Sequence, residues 1–589
     1  MRQGAKTAIV SAIAAAMLGA GGYGAYSLFG SDSKSTTAAP PKPRTVVAES
    51  PAPDLAASGA KSFLAAWSSG DLQGAAKLTD DPQAALAALT AFQQQVKPSA
   101  VTLTPGQPAT AAAFASATAQ PSGAAKASPS AAPSGSASAS ASPSASAAPA
   151  SQVLLNFKSH VEFAGTTNTW DYTGYLGMVK MSDGTAAVNW APTVINPHLG
   201  AGEQIVTQPV FNPPTRVTDR NGQSLANFPS LSQILLNFQQ NPPAQDPADA
   251  GTGVAIVDAA GKNKPEPLFT VTDPKPGKPI KLTIDANLEA AAQKAVDEQL
   301  AKDPTHKAGM VAIEPSTGNV LAVANAPATG FNTALQGKTA PGSTMKVITA
   351  TALLEAGVDP NATMPCPSTI NTGTTYHNDF TDEEPNNTFI QDFTVSCNTA
   401  FIKQGLASLQ SGSLAKEAAD VFGIGPGWKI GFPTADGSIP GPGQSKDETA
   451  GEFMGQGKDL MNPLAMASVA ATVESGTFKQ PILMAGLPQT PAARQLSPTV
   501  LNNLRSMMNQ VVTNPKGTAT PAMGGISGTL FGGKTGTAEV SSDPKAPTNS
   551  WFTGYRDNLA VCAEVLSGGF GADSAAPAVA EVLKIGNAG

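Results

Sequence analysis

Two periodicities alternate along the chain. Around Phe63, Leu64 and Trp67, apolar positions three and four apart predict a helix that ends near Gly70-Asp71. Residues 153–163 and 170–181 read as strands, and Asp183-Gly184 signals a turn into a third strand at 186–190. A helix followed by a hairpin-rich sheet predicts a small α+β domain. Asn221-Gly222 marks a tight turn, and a Pro-rich stretch then predicts irregular structure to about Pro279. Regularity resumes at Lys281. Leu282-Thr283-Ile284-Asp285 runs into a helix with Leu288, Ala292, Val296 and Leu300 on one face. Short apolar runs at 310–313 and 320–323, on either side of Pro315-Ser316-Thr317-Gly318-Asn319, predict a hairpin. Residues 533–540, 551–555 and 559–565 are three further strand candidates, and the segments between the two groups are mostly helical. The C-terminal half therefore predicts one sheet drawn from both of its ends, with helices filling the middle.

Three stretches fall outside this pattern. Arg2 and Lys6 precede an uncharged run from Thr7 to Gly30, long enough to span a bilayer in about twenty apolar residues. The flanking charges place the N-terminus in the cytoplasm. An uncleaved anchor at 8–30, after a cytoplasmic tail at 1–7, is preferred over a cleaved signal peptide. Residues 31–51, rich in Ser, Thr, Pro and Ala, read as a linker. Residues 120–151 are Ala/Ser/Pro/Gly with Lys126 as their only charge, and predict a disordered insertion.

At 589 residues the chain exceeds a single core, so several domains are expected. Charged residues make up 13%, and the low-complexity segments account for much of the shortfall. A net charge of −7 and the lack of a basic stripe give no reason to expect nucleic-acid binding. Neither the four scattered histidines nor Cys366, Cys397 and Cys562 have metal-site spacing, and no cofactor is implied. Three free, mostly buried thiols are the expectation. A single disulfide is permitted if the domain lies outside the cell.

Candidate chemistry begins at Pro341-Gly342-Ser343-Thr344-Met345-Lys346. The apolar run after it and the stop at Gly357 predict a helix starting at or just before Ser343. Residues three apart share a helix face, so the Lys346 amine can reach the Ser343 hydroxyl, beside the positive end of the helix dipole. Serine needs a base to act as a nucleophile, and lysine serves only when burial or nearby cations lower its pKa. Ser-x-x-Lys occurs five times here, at Ser31, Ser58, Ser343, Ser413 and Ser542, so alone it decides little. Only Ser343 follows Pro-Gly at a helix start. Downstream of it lie the chain's only Ser-x-Asn, Ser396-Cys397-Asn398, and its only Lys-Thr-Gly, Lys534-Thr535-Gly536-Thr537, on a predicted strand. Singly these read as a helix cap, a turn residue and a solvated lysine. Together, in that order, they point to one site.

The set resembles the monofunctional (class B) penicillin-binding proteins, the D,D-transpeptidases that cross-link peptidoglycan. The resemblance runs through 281–589. It includes Gly455-Gln456-Gly457, Asn462-Pro463-Leu464, Gly517-Thr518-Ala519 and Trp551-Phe552-Thr553-Gly554-Tyr555. Residues 213–280, from Arg220-Asn221-Gly222 on, resemble a shortened pedestal or dimerisation domain. Residues 52–212 resemble the NTF2-like N-terminal domain of MecA-type members, best at Trp190-Ala191-Pro192-Thr193 and Pro197-His198-Leu199. The implied architecture is multidomain α+β: a single transmembrane helix, an NTF2-like domain carrying the insertion, and a penicillin-binding/serine β-lactamase-like domain of antiparallel sheet flanked by helices.

The resemblance implies Ser343 as acyl-accepting nucleophile and Lys346 as its base. It makes Ser396 a proton relay and Asn398 the residue that orients Lys346 and binds the substrate amide. Lys534, with Thr535 and Thr537, would hold the substrate carboxylate, and Gly536 would leave the strand's backbone unobstructed for a peptide. Implied partners are stem peptides ending in D-Ala-D-Ala, an amine acceptor, β-lactams, the cytoplasmic membrane and a glycosyltransferase (SEDS) partner. The rival readings are a β-lactamase or D,D-carboxypeptidase, and a β-lactam sensor. The nearest look-alike of a class A deacylation element, Glu383-Glu384-Pro385-Asn386-Asn387, precedes Ser396 and so has the wrong chain order. Asn398 stands where class D β-lactamases carry valine.

Overall fold

The structure, a computed structural model, describes residues 44–118 and 152–586 apart from 259, 262, 264, 426, 542 and 544. The expected anchor at 8–30, the tail before it and the insertion at 120–151 lie outside these residues, as does most of the linker. Among the described residues, no helix is long and apolar enough to cross a membrane. The chain divides into two compact units, one comprising Met1–Gln208 and Thr252–Thr272 and the other Pro209–Gly251 and Asp273–Gly589.

In the first unit, the helix Pro53–Ser68 buries Ala56, Ala60, Phe63, Leu64 and Trp67, one face at helical spacing. Trp67 meets Phe92 and Phe157 at ring distances of 6.0 and 6.3 Å, tying that helix to a second helix and to the sheet. The sheet is antiparallel, in the order Ala100–Pro108, Val153–Glu162, Thr169–Lys180, Ala186–Val188. The strands at 153–162, 169–180 and 186–188 lie where the alternation placed them.

One expectation is corrected here. Residues 251–272 are not irregular: Gly251–Asp258 and Glu266–Thr272 are strands, ordered after Glu203–Val210 in a three-stranded sheet. Val254, Ile256 and Val271 bury into the first unit's core. The segment read as one shortened pedestal is thus divided between the units.

The second unit is built on α1 (Ala286–Lys302), β1 (Ala308–Glu314), β2 (Asn319–Ala326), α2 (Lys346–Glu355), α3 (Phe389–Val395) and α4 (Asn398–Ser408). It continues with α5 (Pro463–Ser475), α6 (Pro498–Thr513), β3 (Phe531–Ala538), β4 (Asn549–Arg556), β5 (Leu559–Val565) and α7 (Ala575–Ile585). Asp285 caps α1 by accepting from Asn287 N and Leu288 N, and Leu288, Ala292 and Val296 are buried beneath it. The sheet order is β2-β1-β5-β4-β3, antiparallel throughout. It joins the 308–326 hairpin to the last three strands, as the sequence pattern predicts. Alternation along β4 aims Thr553 at α5, where its hydroxyl donates to Met466 O, and Ser550 at α7, where its hydroxyl accepts from Ala575 N. Helices therefore cover both faces. β3 is left at the sheet's edge, and it carries Lys534-Thr535-Gly536-Thr537.

Candidate active site

Ser343 lies in a 3-10 turn, Gly342–Met345, that leads directly into α2. The expected helix start is therefore a tighter turn, with the α-helix beginning at Lys346. Gly342 holds φ +52°, and a Cβ there would come within 2.4 Å of Thr537 O. The Ser343 turn and β3 thus touch backbone to backbone. Gly536 is needed for the same contact. A Cβ at Gly536 would stand 2.7 Å from Pro341 O and 3.0 Å from Thr344 N. Its lack of a side chain makes room for the Ser343 turn.

The other side of the site is the α3–α4 junction. α3 ends at Ser396 in the left-handed region, φ +63°, an uncommon conformation for a non-glycine residue. That reversal sets Ser396 Oγ between two lysines, 2.8 Å from Lys534 Nζ and 3.3 Å from Lys346 Nζ. Lys346 Nζ also donates to Asn398 Oδ1 at 2.6 Å and to Ser396 O at 2.9 Å. Asn398 Nδ2 donates to His377 O at 3.0 Å, which fixes the amide so that its oxygen faces the lysine. The direct Ser343–Lys346 bond anticipated from helical spacing is not formed: the Ser343 hydroxyl makes no hydrogen bond among the described residues.

Both lysines are fully buried, against Phe401 and Phe393. Burial brings Lys346 down to about 7, opposed by Asp379 and Asp392. Burial, and then the charge of Lys346, pull Lys534 well below the usual lysine value, opposed by Asp379. Two ammonium groups sharing one buried hydroxyl are disfavoured. Ser396 Oγ accepts from both Lys534 and Lys346, an arrangement in which a charge on one amine disfavours a charge on the other.

Ser343, Ser396, Thr535 and Thr537 line a groove of about 330 Å³. Five residues of this site were not foreseen as site residues. Asn378 is a buried hub, accepting on Oδ1 from Asn398 N (2.8 Å) and Thr399 N (3.1 Å), and donating from Nδ2 to Pro367 O. Thr518 shares a 2.6 Å hydrogen bond with Thr535 Oγ1. Asp379 forms part of the groove wall, as do Phe570 and Asp573 of the β5–α7 connection. Thr518 alone lay in a quoted motif. The rest sit in loops whose composition carries no periodic signal.

The three-free-thiols expectation is also corrected. Cys366 and Cys397 form a disulfide across 31 residues, and only Cys562 is a free, buried thiol. The bond ties the segment carrying His377, Asn378 and Asp379 to the middle residue of Ser396-Cys397-Asn398. Among the described residues, the one cluster with three metal-ligating side chains is Cys366, Asp392 and Cys397, and the disulfide uses both of its sulfurs.

Residues 308–584 match the penicillin binding protein transpeptidase domain family. Among curated proteins, the chain is 29% identical over 337 residues to the peptidoglycan D,D-transpeptidase PbpA of Mycolicibacterium smegmatis. That match takes in 49% of this chain and 66% of the relative, just under two thirds of its length. It is 26% identical over 352 residues to stage V sporulation protein D of Bacillus subtilis, covering 52% of this chain and 51% of that one. Among solved structures, a ceftriaxone acyl-enzyme complex of penicillin-binding protein A from M. tuberculosis is 26% identical, with TM-score 0.47, over 53% of this chain and 80% of that one. The matched stretch, 308–584, lies within the second unit.

Proposed function

We propose that this chain is a peptidoglycan D,D-transpeptidase working through a Ser343 acyl-enzyme. The observation that carries the reading is Ser396 Oγ, placed between two fully buried lysines at the wall of the groove that holds Ser343. A donor stem peptide ending in D-Ala-D-Ala lies along the free edge of β3, its carboxylate at Lys534, Thr535 and Thr537. The arriving anion favours the ammonium of Lys534, and that cation keeps Lys346 neutral.

Lys346 then takes the Ser343 proton as Oγ attacks the penultimate carbonyl. General-base assistance of this kind contributes roughly 10²–10⁴ in rate. The N–H groups of Ser343 and Thr537 receive the oxyanion, each worth roughly 10²–10³. The close approach of Gly342 to Thr537 supports their sharing one focus. The proton passes from Lys346 through Ser396 to the departing D-Ala amine. An amine from a second stem then resolves the ester, returning a proton to Ser343 Oγ. β-Lactams enter the same path and stop at the acyl-enzyme.

The uncharged run at 8–30 supports a single-pass membrane anchor with the catalytic unit outside the cytoplasm. A glycosyltransferase partner in that membrane would supply the strands to be cross-linked. The helix-on-sheet build of the first unit supports the NTF2-like reading of 52–212, and 213–251 with 273–280 would be the reduced pedestal.

Incubation of the full chain with a fluorescent penicillin tests the function. A stable adduct that disappears in Ser343→Ala, with D-Ala release dependent on an added acceptor amine, is expected. An adduct lost within seconds would make the protein a β-lactamase, and D-Ala release in water alone a carboxypeptidase.

A further inference from the structure

The transpeptidase reading leaves one partner without a site: the acceptor, a primary amine that is an ammonium ion in neutral water. The groove is electrically polar. Lys534 of β3 is buried behind the wall, bonded to the lining residue Ser396, and two carboxylates, Asp379 and Asp573, form part of the walls. These two acids differ. Asp573 is engaged by its own turn, with Oδ2 accepting from Phe570 N at 3.3 Å. Asp379 is exposed, and among the described residues its carboxylate makes no hydrogen bond and no ion pair.

Asp379 is nonetheless held in place. It follows Asn378, which is clamped to the start of α4 by Asn398 N and Thr399 N, and His377, whose carbonyl accepts from Asn398 Nδ2. The Cys366–Cys397 bond closes the same segment. An unpartnered carboxylate therefore lines the groove from a loop whose preceding residue is clamped to the start of α4, in the same groove that Thr535 and Thr537 of β3 line.

We infer that Asp379 is the acceptor-specificity residue of this site, receiving the ammonium of an incoming primary alkylamine and setting it beside the Ser343 ester. The inference rests on the transpeptidase reading. Asp379 takes no proton in this account. The bound ammonium gives one proton to water. As the resulting amine attacks the ester carbonyl, its second proton passes by Lys346 to Ser343 Oγ, and the C–O bond breaks as the amide C–N bond forms. The anion at Asp379 also repels a misplaced carboxylate, so the two charges, Lys534 and Asp379, orient donor and acceptor in opposite senses.

The test uses the full chain, acylated with a thioester analogue of the donor peptide, and measures how the acyl-enzyme partitions between amine and water. This ratio does not depend on how fast the acyl-enzyme forms, so any effect of Asp379 on the two lysines during acylation drops out. With a primary alkylammonium acceptor, Asp379→Asn is expected to lower the amide-to-acid ratio about tenfold, the scale of one charge pair near a protein surface. Asp379→Glu should restore most of it. With hydroxylamine, which is neutral at pH 7, the ratio should be the same in parent and variant. An unchanged ratio with the alkylammonium overturns the inference, and so does an equal loss with hydroxylamine. If the parent chain gives no amide at all, the transpeptidase reading itself fails, which is a separate outcome.

Discussion

Replacing Gly536 by alanine adds one methyl group at the point where β3 meets the nucleophile turn. That Cβ would lie 2.7 Å from Pro341 O, 2.9 Å from Thr344 Cγ2 and 3.0 Å from Thr344 N. Two of the three atoms are backbone, so no side chain can swing aside. The strand and the turn must separate by several tenths of an ångström. Overpacking of this kind costs about 1–3 kcal/mol, which lowers the melting temperature by a few degrees in a unit of this size. The kinetic effect should be larger. The same displacement moves Lys534 and Thr537 relative to Ser343, and a shift approaching 1 Å costs on the order of 10²-fold in rate. Stopped-flow acylation by a chromogenic cephalosporin, alongside thermal unfolding, reads both effects. Gly441→Ala is the control, because a Cβ there meets nothing within 4 Å. If Gly536→Ala acylates at the parent rate with an unchanged melting temperature, the argument from close approach is wrong.

Two further outcomes follow from the same structure. Cys366→Ser with Cys397→Ser opens a loop of 31 residues. Loop-closure entropy puts the loss at about 3–4 kcal/mol, and urea unfolding of the oxidised parent and the double variant should differ by that order; coincident curves would refute it. Glu289 and Glu564 are fully buried, each pushed by burial from 4.5 up to about 8, and Glu289 Oε1 has no partner. Because the folded state holds these protons more tightly than the unfolded chain, the stability they contribute is complete below about pH 4.5 and is lost as pH rises toward 8. Glu289→Gln should make the decline in urea midpoint across that window shallower, and an unaltered slope would contradict it.

The sequence carried the sheet because strong apolar runs open and close the second unit, with helical spacing between them. It carried less of the first unit. The strands Gly251–Asp258 and Glu266–Thr272 are short and sit among prolines at 242, 243, 247, 265, 274 and 276, which hide the alternation of Val254 and Ile256. For the site, motif order brought Lys346, Ser396, Asn398 and Lys534 forward, and the fold sets these four in one hydrogen-bonded cluster. It could not bring forward Asn378 or Asp379, because a loop residue matters through what the fold places beside it. The cysteine pair was hidden for the same reason: 31 residues of chain say nothing about whether two sulfurs meet. Spacing also implied a direct Ser343–Lys346 contact. It could not show that Ser396, turned by its left-handed backbone, would take up the amine instead.

The central claim is that Lys346 activates Ser343 as a neutral amine. It is tested most directly by the rate of Ser343 acylation by a penicillin as a function of pH, with ionic strength and temperature held constant. The uncharged fraction of Lys346 grows with pH, so the rate should rise through a midpoint near the value of about 7 that burial gives this lysine. A rate that stays flat between about pH 5.5 and about pH 8.5, or that falls steadily across that range, would contradict the claim.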